Sequence, residues 1–134
     1  MSNSKHPCRI IHYASQTPSG EDGINEGKFL QFIWQGVDYL LFADRGNHRF
    51  HNQILGRFLD EHQIPNRWVD DQTLEIDDDR LEVIGGGRFR LDHKENRLEL
   101  WDNSTAYGRF DEAGIEGRIT SADHPWRNMQ IVVS

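Results

Sequence analysis

Seven histidines, at positions 6, 12, 48, 51, 62, 93 and 124, are the most versatile reactive groups in the chain. An unperturbed imidazole titrates at about 6.5, so near neutrality it can bind a metal, take a proton or attack an electrophile. His48 and His51 are three residues apart, but no HExxH and no paired-cysteine pattern accompanies them, and no third ligand follows at a diagnostic spacing. The spacing therefore predicts no metal site. Ser104 lies in NSTAYG, not in the GxSxG elbow of a serine hydrolase. The run GGGRF lacks the Lys-Ser/Thr that would hold nucleotide phosphates and magnesium. Asp77, Asp78 and Asp79 read as a solvated turn.

Three local features converge on an anion instead. Gly85 to Gly87 can bring backbone N–H groups close to a ligand, and Arg88 adds a fork of donors. Ser104, Thr105, Ala106, Tyr107 and Gly108 gather hydroxyls and amides in one loop. Together they suit a phosphoryl group; the plainer alternative is two turns and a surface charge. His51 supplies a reactive group. A helix N-terminus disfavours imidazolium, so a ring placed there stays neutral and can serve as base or nucleophile. Its plainer alternative is a helix cap.

The elements that must position these residues can be read from periodicity. Ile54, Leu55, Phe58 and Leu59 make one face of an amphipathic helix, with Asn47 as a cap before it and Pro65 stopping it after His62. Phe29 to Trp34 and Tyr39 to Ala43 read as a hairpin turning at Gly36 to Asp38. Arg80 to Ile84 alternates as a strand that ends in Gly85 to Gly87, and Phe89 to Asp92 pairs with Arg97 to Trp101 in a second hairpin. Asp111 to Ala122 is weakly helical, and Met129 to Val133 closes as a strand. Residues 1–27 read as a loosely ordered leader with room for one strand, around Ile10, Ile11 and Tyr13, and 28–134 as one domain. The fold class is α+β, mixed α/β: a single mixed sheet of about six strands flanked by one or two helices.

Composition narrows the function classes. The 134 residues suit one domain, and seven Phe, four Trp and three Tyr supply core volume. A net charge of −7 argues against a nucleic-acid partner. No apolar run approaches a membrane span, and the polar start MSNSKHP lacks the apolar segment of a signal peptide, so a cytoplasmic protein with no membrane partner is expected. Cys8 is alone, which excludes an internal disulfide. Twelve of the fifteen basic residues are Arg, the residue suited to forked contacts with phosphate, although codon bias gives the same enrichment.

The ordered set FHNQI, GGGRF and LELWDNSTAYG resembles the Janus/Ocnus family, whose characterised animal members are small phosphohistidine phosphatases; the similarity runs from about Tyr39 to Ile119. The resemblance implies a phosphohistidine-phosphatase-like fold and metal-independent, cofactor-free removal of a phosphoryl group from a phosphohistidine-containing protein or a small phosphoramidate. By it, His51 aligns with the catalytic histidine after Phe50, and Arg88 with the arginine that follows the triple glycine. Ser104, Ala106, Tyr107 and Gly108 match the phosphate loop, and Arg45 matches a supporting arginine at a spacing two residues shorter. The expected protein is a monomer. Three positions depart from the animal enzymes: Asp38 or Tyr39 stands for their early lysine, Asp111 or Glu112 for a histidine after AYG, and Asn52 for a small residue after the catalytic histidine. These departures leave a non-catalytic phosphate- or phosphoprotein-binding module of the same fold as the alternative.

Overall fold

A computed structural model describes residues 8–13, 23–44, 51–70, 73–76 and 80–134. Asn47, the proposed helix cap, and Asp77 to Asp79, the proposed acidic turn, lie outside the described residues, as do Arg45, His6 and His48.

The first hairpin forms as its alternation requires. β2 (Ile24–Trp34) and β3 (Val37–Asp44) pair antiparallel from Trp34↔Val37 outward. The turn is tighter than the sequence reading placed it: Gln35 and Gly36 both have positive φ, 54° and 78°, the pair of left-handed residues that a two-residue hairpin turn needs. β1 (Arg9–Tyr13) lies parallel to β3, so the segment read as a leader holds one whole strand of the sheet and also the first four residues of β2, Ile24 to Gly27, which places the boundary at 27/28 inside a strand.

β6 (Leu81–Asp92) is the clearest departure from expectation. The strand does not stop at Gly85 but runs through all three glycines, paired with β2 along its length. Close approach explains their identity: a Cβ on Gly87 would meet the carbonyl of Trp101 at 2.5 Å, and one on Gly86 would meet that of Phe29 at 2.6 Å. β7 (Arg97–Trp101) and β8 (Gln130–Val133) complete a six-stranded sheet in the order β1-β3-β2-β6-β7-β8, antiparallel inside and parallel at both edges. Asn66 to Asp70 (β4) and Thr73 to Ile76 (β5) form a separate two-stranded ribbon in a stretch of mixed pattern that announces neither strand.

Period-two alternation gives the large sheet two buried faces. On one, Leu30, Phe32, Tyr39 and Leu41 meet Ile54, Leu55, Phe58 and Leu59 of α1 (His51–Glu61). Past the helix end at Glu61 the chain turns at Gln63, whose φ is +56°, with Ile64 N–H donating back to Leu59 O at 2.8 Å just before Pro65. On the other face, Phe29, Phe42, Phe89, Leu98 and Leu100 meet Phe110, Trp126 and the Ile115 and Ile119 side chains of α2 (Ile115–Ser121), which starts four residues later than its predicted limit of Asp111. The chain is thus a mixed α+β domain with a helix on each face. No helix among the described residues is long and apolar enough to cross a membrane.

Candidate functional site

α1 opens on His51, so the apolar face that seats the helix on the sheet also carries the imidazole inward; His51 is 7% exposed. Its Nε2 lies 2.9 Å from the carbonyl oxygen of Gly87. A carbonyl only accepts, so Nε2 bears the proton and donates, and Nδ1 of the neutral ring carries the lone pair. Burial holds the His51 pKa below its ordinary 6.5; the Gly87 carbonyl opposes that shift, Lys28 reinforces it, Asp102 opposes it and Arg88 reinforces it. The ring is therefore neutral at neutral pH.

Gly86 joins this ring to the loop after β7. A Cβ at position 86 would stand 2.7 Å from His51 Cδ2 and 3.0 Å from Nε2, while the Gly86 N–H donates to Gly108 O at 3.0 Å. The loop is closed on itself: Ser104 N–H donates to Gly108 O at 2.9 Å, Gly108 N–H to Ser104 O at 2.8 Å, and Tyr107 N–H to Ser104 Oγ at 3.1 Å. Gly108 makes the turn with φ +84°. These bonds leave the Ser104 hydroxyl its own proton to donate, and they do not use the amides of the exposed residues Thr105 and Ala106. The glycines themselves are not the anion-binding turn expected from sequence. They lie within a paired strand, where their small size admits the His51 ring and the loop.

Two cations flank the ring. Arg88 follows Gly86 by two residues and so faces the same side of the sheet, and Lys28 is its register partner on β2. Like charges opposite each other in a sheet repel, and an anion between them offsets that repulsion. Arg88 Nε also lies 3.0 Å from Asp102 Oδ2. The structure thus links His51 and Arg88, on the α1 side of β6, to the Ser104–Gly108 loop through the Gly86–Gly108 hydrogen bond, with Tyr107 packed against the α1-side core, whereas Arg45 is outside the described residues.

Lys28 and Asp102 were not singled out by sequence reasoning. Alternation in GKFL places Lys28 opposite Phe29, but its meeting with Arg88 depends on the β2–β6 register, which no local pattern reveals. Asp38 and Tyr39 themselves lie away from His51: Tyr39 is buried against Phe32 and Phe58, and Asp38 lies beside Arg118. Lys28 supplies a lysine at the site. The acidic departures after the loop are also neutralised locally. Asp111 pairs with Arg118 at 2.7 Å, and Glu112 with Arg109 at 2.7 Å.

Among the described residues no three His, Cys, Asp or Glu side chains gather as metal ligands would. Cys8 is buried, and its thiol is pushed up to about 12, chiefly by that burial, which leaves it a poor nucleophile. Comparison with known proteins finds no matching family model and no matching curated protein.

Proposed function

We propose that the chain is a phosphohistidine phosphatase with a phosphohistidine-phosphatase-like fold, acting without a metal on a phosphohistidine-containing protein or a small phosphoramidate in the cytoplasm. The observation that carries this reading is the Gly86 junction, which sets a neutral, buried His51 beside the Ser104–Gly108 loop and the Lys28–Arg88 pair. The labile P–N bond needs alignment and charge stabilisation more than elaborate chemistry. In this reading the exposed Thr105 and Ala106 amides cradle the phosphoryl oxygens and the buried Ser104 hydroxyl holds the loop in shape through the Tyr107 N–H, while Arg88 and Lys28 offset the phosphoryl charge.

His51 Nδ1 has two routes to the same products. As nucleophile it forms a bond to phosphorus while the P–N electron pair leaves on the substrate imidazole, which takes a proton from solvent; water then hydrolyses the phosphorylated His51. As general base it accepts a proton from the water that attacks phosphorus directly, while the P–N electron pair leaves on the substrate imidazole, which takes a proton from solvent. Acid-labile phosphate trapped on His51 after rapid quenching marks the first route, and turnover without it marks the second.

The test is a time course of dephosphorylation of a phosphohistidine protein and of free phosphoramidate by wild type, His51→Ala and Arg88→Ala. Loss of most activity in His51→Ala is expected. Equal rates for wild type and His51→Ala would remove the catalytic assignment, and phosphate binding without turnover in wild type would select the binding-module reading.

A further inference from the structure

Arg88 meets a built-in anion. Asp102 follows directly on β7, and its φ of +71° is a left-handed conformation uncommon outside glycine, asparagine and aspartate. That turn ends the strand and brings the carboxylate to Arg88 Nε at 3.0 Å. The backbone of Asp102 is itself fastened: its carbonyl accepts from Arg109 Nη1 at 2.8 Å, while Arg109 Nη2 donates to Glu112 at 2.7 Å and to Ser134 O at 2.8 Å. The carboxylate therefore has a fixed station on the rim of the site. The Arg88 and Asp102 side chains are 53% and 38% exposed, so an incoming ligand meets both.

A negative charge fixed beside an anion pocket works against anion binding, and its effect grows with the charge of the ligand. One phosphoryl group carries about −1.5 to −2 charges near neutrality, a load that Lys28 and Arg88 can offset. A condensed phosphate brings further charge towards the same rim. We propose that Asp102 is a specificity-determining residue that restricts the pocket to a single phosphoryl group and disfavours condensed phosphates, from pyrophosphate to nucleoside polyphosphates. The proposal rests on the reading of this pocket as a phosphoryl site. Asp102 also lies close enough to oppose the lowering of the His51 pKa, which places its charge within reach of the reacting centre.

A carboxylate about 6 Å from a ligand charge weakens binding in water about threefold per unit of that charge. The test is calorimetric binding of inorganic phosphate and of pyrophosphate to wild type, Asp102→Asn and Asp102→Gly, at low and moderate salt. Asparagine tolerates the left-handed backbone and glycine relieves it, so both variants keep the fold, which circular dichroism checks. Both variants should bind both anions more tightly, with the gain for pyrophosphate exceeding that for phosphate by about threefold at low salt and by less at moderate salt. Equal gains for the two anions overturn the proposal, as does weaker binding in the variants, which would make Asp102 a support for Arg88. Binding of neither anion by any of the three proteins also overturns it. The phosphatase reading is judged separately, by the dephosphorylation time course of the wild type.

Discussion

The His51 imidazole lies against the bare backbone of Gly86, where even a methyl group would stand 2.7 Å from its Cδ2. Gly86 also donates its N–H to Gly108 O at 3.0 Å. One backbone unit in the middle of β6 thus sets the distance between the reactive ring at the start of α1 and the loop proposed to hold the phosphoryl group.

Gly86→Ala should therefore separate catalysis from folding. The new Cβ would stand 2.6 Å from Phe29 O as well as against the ring, so both the sheet and His51 must shift. Overpacking of this kind costs about 1–3 kcal/mol, and a ring displaced by roughly 1 Å is expected to lose about a hundredfold in rate. Gly117→Ala is the control, because a Cβ there meets nothing within 4 Å and α2 gains helix propensity. Urea unfolding and phosphohistidine turnover, measured on both variants, should show a loss of activity only in Gly86→Ala.

For the proposed reaction the neutral ring sets a defined pH dependence. Because burial lowers the His51 pKa, the active form is present above that value, and activity falls as pH drops through a limb lying below 6.5. Lys28→Met removes a charge that lowers this pKa and should move the limb to higher pH; Asp102→Asn removes one that raises it and should move the limb lower. Profiles of kcat/KM against pH that shift in the same direction for both variants would contradict this assignment. Stability follows the same linkage. The unfolded chain takes up the proton first, so the contribution of neutral His51 is complete above 6.5 and is lost as pH falls towards the folded pKa. His51→Gln should flatten that part of the stability profile.

Two glycines offer a matched comparison. Gly36 and Gly108 have φ values of +78° and +84°, and a Cβ on either meets nothing within 4 Å, so the cost of alanine at each is backbone strain alone, about 1–2 kcal/mol. Gly36 turns the β2–β3 hairpin, whereas Gly108 closes the loop beside His51. Similar losses of stability are expected for the two alanine variants, with weaker phosphate binding in Gly108→Ala only. Calorimetry against inorganic phosphate and urea unfolding separate the two effects.

Local chemistry explains which parts of this architecture were legible in the sequence. Ile54, Leu55, Phe58 and Leu59 announce α1, and alternation around Gly36 and around His93 to Asn96 announces both hairpins, because each signal lies within one element. Gly85 to Gly87 misled for the opposite reason. Glycine has low strand propensity, and the need for it here comes from partners distant in sequence, His51, Phe29 and Trp101, which crowd the strand from both sides. His51, Arg88 and the Ser104–Gly108 loop were recognisable by residue type and order, whereas Lys28 and Asp102 enter only through register and a left-handed turn.

Arg109 should matter to the site without touching a substrate. Its guanidinium donates to Asp102 O at 2.8 Å, to Glu112 Oε2 at 2.7 and 3.1 Å and to Ser134 O at 2.8 Å, and it lies 4.6 Å from the centre of the Phe110 ring. The Asp102 end of the Asp102–Gly108 segment therefore depends on one side chain. Arg109→Met keeps much of the apolar stem over Phe110 but removes every one of these donors, and losing hydrogen bonds that are partly open to solvent costs about 1–2 kcal/mol in all. Because the Gly86–Gly108 bond and the Ser104 bonds persist, the loop should loosen without leaving its place. Amide hydrogen exchange across residues 102–108 should quicken relative to α1, with little change in α1 itself. Unchanged exchange across that segment would show that the backbone bonds alone hold the loop.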